Sequence, residues 1–253
     1  MNDFICPVCG KPTKRKISLF GTEQIVDVLC DCECEKTERE KILEEIKYRN
    51  KLKQIHEKAA PIELRKEIAQ KTFENDKFPD SQLSKFARNY ADKWKEMYEN
   101  NISVVFWGNC GNGKTYYAMC IANELMNNLV YVCITSIAEI INMDINERGA
   151  FINSLNKYPL LILDDMGTER QNDYAREILY TIVNGRYLAK KPIIFTTNYT
   201  KDDIVQKKVP GNERTFDRIE EMAVFVQAKG ESVRSTLAQE KREQAIKLLY
   251  GKE

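Results

Sequence analysis

The sequence predicts an α/β fold built on a parallel sheet with helices on both faces. Short runs rich in Val, Ile and Leu, typical of buried strands, alternate along the chain with helical stretches, and this alternation favours a parallel sheet. Strands are expected at Ile102–Trp107, Val130–Thr135, Leu160–Asp164, Ile193–Thr197 and Met222–Gln227. Helices are expected at Lys114–Asn127, from Ile137 onward, at Asp173–Leu188 and at Val233–Tyr250.

Two shorter zones precede this domain. Residues 1–35 are cysteine-rich and contain two β-like runs, Lys16–Phe20 and Gln24–Leu29. Residues 36–72 are dominated by Lys, Glu and Arg, and their apolar residues recur at the spacing of an amphipathic helix. Pro61 is expected to end that helix, with a second short helix at Ile62–Ala69. We therefore predict a cysteine-rich domain at 1–35, a charged helical linker at 36–72 and the α/β domain at 73–253.

Composition and hydropathy narrow the class of protein. The chain has 39 basic and 38 acidic residues, so any binding to nucleic acid must come from local patches rather than from overall charge. No apolar run approaches the roughly 20 residues that a membrane span needs. The N-terminal residues contain no hydrophobic stretch of signal-peptide length. We therefore expect a cytoplasmic protein with no membrane partner.

The segment Gly108–Thr115 has the pattern of a phosphate-binding loop. It fits G-x-x-x-x-G-K-S/T at every fixed position, with an apolar strand before it and a helix after it. Glycines let successive backbone N–H groups turn toward phosphate oxygens, and the start of the helix adds its positive dipole end. Lys114 is predicted to reach the β- and γ-phosphates of ATP, and the Thr115 hydroxyl to ligate Mg²⁺. The predicted nucleotide-binding residues are Gly108, Asn109, Cys110, Gly111, Asn112, Gly113, Lys114, Thr115 and Tyr116.

A second motif is an apolar strand that ends in two carboxylates, Asp164 and Asp165. Asp164 is predicted to hold Mg²⁺ through its water shell, which makes it part of the nucleotide site. Asp165 is expected to face the γ-phosphate and to activate water as the catalytic base. Many such ATPases have Glu at this position, so Glu169 is kept as a second candidate. In the alternative interpretation, Asp165 and Glu169 only cap and solvate the loop.

Three later residues complete the predicted site. Asn198 follows a buried strand and is expected to orient the attacking water or to touch the γ-phosphate. Arg218 is predicted to spread the charge that develops on the transferred phosphoryl group. If Arg218 does this for the ATP bound to a neighbouring subunit, the site is shared and the active form is an oligomer. Arg234, near the start of the last helix, is expected to sense the nucleotide bound to its own subunit. Each arginine has an alternative role in a surface salt bridge.

The N-terminal cysteines have the spacing of a zinc site. Cys6 and Cys9 form a C-x-x-C pair followed by glycine, and three further cysteines follow about twenty residues later. Tetrahedral zinc takes four thiolates, so four of Cys6, Cys9, Cys30, Cys32 and Cys34 are the predicted ligands, with Cys32 favoured among the last three. So small a module would take its folding energy from the metal. The alternative is a set of reduced free cysteines.

With these motifs in this order, the chain resembles the DnaC/IstB-type AAA+ ATPases, which include bacterial and phage replicative-helicase loaders and the helper ATPases of some transposons. The likeness covers residues 73–250 and is carried by Gly108–Thr115, Leu160–Glu169, Asn184–Tyr187, Thr196–Asn198, Asp217–Ile219 and Arg234. It implies an AAA+ P-loop core with little or no separate lid domain, self-association through a shared ATP site, and contacts with single-stranded DNA. It also implies that Arg218 is the arginine finger, with Arg214 as the fallback, and that Arg234 is the second sensor. Asp165 in place of the usual Glu implies slow hydrolysis.

The functional expectation is an ATP-dependent helicase loader in DNA replication. Such an ATPase binds ATP, Mg²⁺ and single-stranded DNA and delivers a replicative ring helicase to DNA. Loaders of the family often carry a small N-terminal domain that grips the helicase, and some of these bind zinc. The alternatives are a transposon helper ATPase that marks target DNA and a P-loop kinase that acts on a small molecule. Asn198 and the two arginines argue against the kinase.

Overall fold

The computed structural model of the chain describes residues 5–6, 9–19, 22–27, 33–167, 173–206, 213–229 and 233–250. The chain divides into two compact units, Met1–Lys53 and Gln54–Glu253. This division does not test the predicted boundaries at residues 35 and 72, which stay a prediction. Within the described ranges, no helix is long and apolar enough to cross a lipid bilayer.

The smaller unit contains an antiparallel pair of strands and the start of a long helix. β1 (Lys14–Leu19) pairs with β2 (Thr22–Asp27), with Lys14 opposite Asp27. α1 runs over Glu33–Ala59, and its apolar Ile42, Leu43 and Ile46 are exposed. Both β-like runs and the charged helix are therefore present close to their predicted bounds.

The cysteine segment is described only in part. The Cys6 N–H donates to the Lys11 carbonyl at 2.7 Å, and the Gly10 N–H donates to the Cys6 carbonyl at 2.9 Å, so Gly10 and Lys11 lie back against Cys6. Cys30, Cys32 and the side chain of Cys34 lie outside the described residues. Among the residues that are described, no group of His, Cys, Asp or Glu forms a metal site. The zinc site remains a prediction.

The larger unit is built on the predicted five-stranded parallel sheet. The strands lie in the order β4-β5-β6-β3-β7, so the strand before the phosphate-binding loop has neighbours on both sides. They are β3 (Ser103–Trp107), β4 (Val132–Thr135), β5 (Leu160–Met166), β6 (Ile193–Thr197) and β7 (Ala223–Gln227). The helices that follow or precede them are α2 (Ile62–Gln70), α3 (Gln82–Asp92), α4 (Trp94–Glu99), α5 (Lys114–Asn127), α6 (Ile137–Asn142), α7 (Ile145–Ser154), α8 (Asp173–Leu188), α9 (Lys201–Val205), α10 (Glu213–Met222) and α11 (Val233–Tyr250).

Alternate residues of each strand pack on opposite faces of the sheet, as the period of two along a strand requires. Val104 and Phe106 of β3 belong to the core that contains α5 and α3, whereas Val105 belongs to the core that contains α6, α8 and α10. All four of the strands β3 to β6 are almost wholly buried. Cover on both faces explains why their sequences are continuous apolar runs rather than alternating ones.

Arg186, in the Asn184–Tyr187 motif, is a fully buried cation that ties the sheet together. Its guanidinium donates to the carbonyls of Leu155 at 3.1 Å, Tyr158 at 2.6 Å and Pro159 at 3.0 Å, and also to the carbonyl of Pro192. These acceptors lie just before β5 and β6. Burial lowers the pKa of Arg186 to about 10. Arg186 therefore fixes the N-terminal ends of the two strands whose C-terminal ends carry Asp164 and Asn198.

Candidate nucleotide-binding site

The loop between β3 and α5 has the shape of a phosphate cradle. Gly108, Gly111 and Gly113 have φ values of 132°, 86° and 83°, a region that L side chains rarely adopt. Gly113 is the N-cap of α5, so the helix begins at Lys114 with its N–H groups pointing toward the loop. This is the geometry in which backbone amides and a helix dipole bind phosphate.

The cradle is docked on the residue that follows β7. A Cβ atom at Gly108 would lie 2.8 Å from the Ala228 carbonyl oxygen, which leaves no room for a side chain. The Asn112 side chain donates to the same carbonyl at 3.0 Å, and the Ala228 N–H donates to the backbone carbonyl of Trp107 at 2.8 Å. The loop is therefore held from both of its ends against the edge strand.

Lys114 is the first residue of α5, and only 6% of it is exposed because its side chain folds back onto the loop. Its ammonium group contacts three oxygens: the carbonyls of Gly108 and Asn109, both at 2.8 Å, and Oδ1 of Asn198 at 2.9 Å. The contact with Asn198 arises because β6 lies directly beside β3. The structure thus brings together two of the residues predicted to act on the γ-phosphate.

Asp164 lies on the other side of the cradle and accepts two hydroxyl groups. Its Oδ1 is 2.8 Å from Thr115 Oγ1 and 2.6 Å from Thr196 Oγ1. The Thr196 hydroxyl in turn accepts the backbone N–H of Asp165 at 2.8 Å. The predicted pair of Mg²⁺ residues, Thr115 and Asp164, is therefore in contact. Thr196 is a third member of this group, and the sequence analysis named it only as part of the Thr196–Asn198 motif, without a role.

Asp165 is exposed at the end of β5 and has a φ of 56°. The left-handed conformation is uncommon for residues other than glycine, although Asp and Asn tolerate it best. The conformation coincides with a break in the pairing of β5 with β6 between Leu163 and Met166. Glu169, the second candidate for the base, lies outside the described residues.

A cavity of about 640 Å³ opens over these residues. Besides Lys114, Asp164, Asp165 and Asn198, it is lined by residues of α2 and of the segment that follows it. The apolar members of its wall on this side are Leu64, Ile68, Phe78, Tyr116 and Met119. The cavity thus extends from the phosphate cradle past these apolar residues, and its whole volume is in the range of small-ligand sites.

Buried polar contacts hold this wall in place. The Asp76 carboxylate, whose side chain is 1% exposed, accepts the Tyr117 hydroxyl at 2.9 Å and the Ser84 hydroxyl at 2.6 Å. The Tyr116 hydroxyl donates to the Thr72 carbonyl at 2.9 Å. Burial raises the pKa of Tyr117 to about 12. Tyr116, predicted as a nucleotide contact, lines the cavity and also anchors its wall.

The two predicted arginines are placed differently from the cradle residues. The Arg218 guanidinium, on α10, stacks over the rings of Tyr180 and Tyr187 of α8, at 5.3 and 5.5 Å from their centroids. Arg218 does not line the cavity of its own chain. Arg234 lies in the first turn of α11, and its side chain is outside the described residues. The roles predicted for both stay predictions.

Comparison with known proteins agrees with this geometry. The family model described as IstB-like ATP binding protein matches residues 31–243, which is most of the chain. The chain belongs to this family. The predicted α/β core with its five-stranded parallel sheet is also confirmed, because solved structures share this fold. The crystal structure of DnaI has a TM-score of 0.56 at 20% identity and covers 71% of this chain and 98% of that chain.

Two further solved structures and two curated relatives are also similar to this IstB-like chain. The DnaC helicase loader structure has a TM-score of 0.55 at 21% identity, covering 65% of this chain and 99% of that one. AMPPCP-bound DnaA from Aquifex aeolicus has a TM-score of 0.52 at 22% identity, covering 69% and 55%. Replicative helicase loader DnaC of Escherichia coli (strain K12) is 30% identical over 138 residues, 51% of this chain and 55% of that protein. Phage-like element PBSX protein XkdC of Bacillus subtilis (strain 168) is 26% identical over 141 residues, 52% of each. The chain thus spans about half the length of these curated relatives.

Proposed function

We propose that this chain is an ATP-dependent loader of a replicative ring helicase. The observation that carries the ATP-dependent part of the proposal is the contact of Lys114 with Asn198 and of Thr115 with Asp164 in the lining of one cavity. The chain is also similar to a protein named replicative helicase loader. Because the chain spans only about half of that relative, the transfer of its function is part of the proposal.

ATP with Mg²⁺ is the proposed ligand of the cavity. Thr115 and Asp164 offer a hydroxyl and a carboxylate oxygen 2.8 Å apart, and Mg²⁺ prefers oxygen donors of this kind. When bound, Mg²⁺ would supply positive charge against the phosphates. Lys114 would exchange loop carbonyls for phosphate oxygens, while the apolar part of the cavity beside Tyr116 would receive the base.

We propose slow ATP hydrolysis at the same site. Asp165 is exposed and lines the cavity, which suits a carboxylate that takes a proton from water. Asn198, fixed by Lys114 at 2.9 Å, would orient that water. Asp is one methylene shorter than Glu, so a rate suited to a timed switch is expected rather than rapid turnover.

The remaining expectations concern assembly. We propose that Arg218 serves the ATP site of a neighbouring subunit, that Arg234 senses the nucleotide in its own subunit, and that the assembled form binds single-stranded DNA. The N-terminal module, with zinc held by four of its five cysteines, would grip the helicase. The exposed apolar residues of α1, Ile42, Leu43 and Ile46, support a role for this region in binding a partner.

Light scattering coupled to gel filtration tests the proposal. The protein is mixed with the replicative ring helicase of its own organism, with and without ATP and Mg²⁺, and Lys114→Ala serves as the variant that should not respond to ATP. We expect the helicase and the protein to elute as one complex whose mass changes with ATP. If neither ATP nor the helicase alters the assembly state, the loader function is refuted.

A transposon helper ATPase is the second candidate, because the family to which the chain belongs is named after IstB. The same experiment separates the two. A helper ATPase would assemble with ATP and DNA but would elute apart from the helicase. Binding to the helicase in the absence of DNA favours the loader.

A further inference from the structure

The hydroxyl of Thr196 lies between the two carboxylate residues of the site. Thr196 is 1% exposed. Its Oγ1 donates to Asp164 Oδ1 at 2.6 Å and accepts the Asp165 N–H at 2.8 Å. Because a hydroxyl has one hydrogen, donation to Asp164 leaves its lone pairs facing Asp165. One side chain on β6 is therefore bonded to both acidic residues at the end of β5.

These bonds occur where the sheet itself is interrupted. The pairing of β5 with β6 shifts register between Leu163 and Met166, and Asp165 adopts a φ of 56°. A bulge leaves a backbone group without its ladder partner. Here the Thr196 hydroxyl takes the place of that partner for the Asp165 N–H. The left-handed turn that exposes the Asp165 side chain therefore depends on a side chain of the neighbouring strand.

We propose that Thr196 is a positioning residue for the metal-dependent part of nucleotide binding. The proposal rests on the proposed function, because it assigns to Thr196 the orientation of Asp164 toward Mg²⁺ and of Asp165 toward the water. Two hydroxyl donors, Thr115 and Thr196, fix Oδ1 of Asp164 from two sides. Groups that orient a metal ligand in this way typically change metal affinity roughly 10- to 100-fold when they are removed.

The orientation of the two hydroxyl groups explains why loss of the Thr196 hydroxyl should weaken nucleotide binding only when Mg²⁺ is present. Thr115 donates its hydrogen to Asp164, so the lone pairs of Thr115 Oγ1 point away from Asp164 and are available to a cation. Thr196 touches Asp164 from β6, and it is not among the residues that line the cavity. Loss of the Thr196 hydroxyl should therefore weaken the hold on Mg²⁺ and leave the metal-free contacts of the nucleotide unchanged.

The test measures the binding of a fluorescent ATP analogue in EDTA and over a titration with Mg²⁺. Thr196→Val and Thr196→Ala remove the hydroxyl with different side-chain volumes, and Thr196→Ser keeps it. Ser103→Ala is the matched control, since Ser103 is also fully buried and accepts a backbone N–H of β6, from Ile193 at 2.9 Å, at the opposite end of the sheet. Both hydroxyl-free variants should need at least about tenfold more Mg²⁺ than wild type and bind as wild type in EDTA. Thr196→Ser and Ser103→Ala should need as much Mg²⁺ as wild type.

Two results would overturn the proposal. One is a wild-type Mg²⁺ requirement in either hydroxyl-free variant. The other is a loss of binding that is equal in EDTA and in Mg²⁺, which would make Thr196 a structural residue only. The proposed function is judged separately on the wild-type protein, which must bind the analogue in Mg²⁺ whatever the variants do.

Discussion

Replacing Gly108 with Ala tests the docking of the phosphate cradle. Gly108 has a φ of 132°, and a Cβ atom there would lie 2.8 Å from the Ala228 carbonyl oxygen. Since that oxygen belongs to the backbone and also accepts the Asn112 side chain, either the loop or the end of β7 has to move. Gly108→Ala should therefore displace the cradle from the position in which its amides face the cavity.

The expected cost follows from the two disturbed features. A non-glycine residue held in this part of φ/ψ space costs about 1–3 kcal/mol. Loss of the Asn112 hydrogen bond adds about 1 kcal/mol. Together they give about 2–4 kcal/mol, which corresponds to a fall of roughly 5–15 °C in Tm for a domain of this size. ATP affinity should fall at least about tenfold, because several amide contacts move together.

Thermal unfolding and titration with a fluorescent ATP analogue measure the two effects. Asn112→Ala removes only the side-chain bond and should cost about 1 kcal/mol. Gly149→Ala is the control, because Gly149 lies inside α7 and a Cβ there meets nothing within 4 Å. It should leave ATP affinity unchanged and stabilise the helix by up to about 1 kcal/mol. If Gly108→Ala matches the wild type in both Tm and affinity, the docking on Ala228 is not what holds the loop.

Three other predictions concern single residues. Arg186→Met leaves four backbone carbonyls without their donor, two of them in buried hydrogen bonds, and should lower the free energy of unfolding by about 3–5 kcal/mol in urea titrations. A loss below about 1 kcal/mol would contradict the anchoring role. Asparagine tolerates the φ of 56° at position 165, so the variant Asp165→Asn should still bind ATP. Its hydrolysis rate should fall at least about 100-fold, and unchanged turnover would exclude Asp165 as the base. Cys110 is exposed in the cavity and should be alkylated by iodoacetamide unless ATP is present, as peptide mass spectrometry would show. Cys120 and Cys133 should stay unmodified with or without ATP, because burial raises the pKa of each to about 12. Equal labelling of Cys110 with and without ATP would contradict its place in the site.

The sheet and the cradle were predictable because their signals are local. Four helices and strands, Lys114–Asn127, Asp173–Leu188, Ile193–Thr197 and Val233–Tyr250, have the predicted bounds. A fixed pattern of glycines, lysine and threonine between a strand and a helix is typical of one loop geometry. α3 and α4 were missed, although α3 has an N-cap at Ser81 and a buried apolar face that includes Leu83, Ala87 and Tyr90.

The contacts that complete the site depend on strand order, which the sequence does not display. Thr196 meets Asp164 only because β6 lies between β3 and β5. Ala228 supports Gly108 because β7 pairs with β3 from the other side. Likewise, Asp76 is one of many surface-like acidic residues in the sequence, and its burial under Tyr117 appears only in the folded chain. Long-range polar contacts of this kind have no spacing rule from which they could be inferred.

The central claim is that this loop and its lysine hold ATP. Calorimetric titration with ATP and Mg²⁺ of the wild type, of Lys114→Ala and of Lys95→Ala tests it most directly. Lys95 is exposed on α4 and does not line the cavity. Lys95→Ala therefore removes one positive charge, as Lys114→Ala does, without touching the site. We predict that Lys114→Ala binds at least roughly 10- to 100-fold more weakly, the cost of a charge-assisted hydrogen bond, while Lys95→Ala binds as wild type. Equal affinity of Lys114→Ala and wild type would contradict the claim.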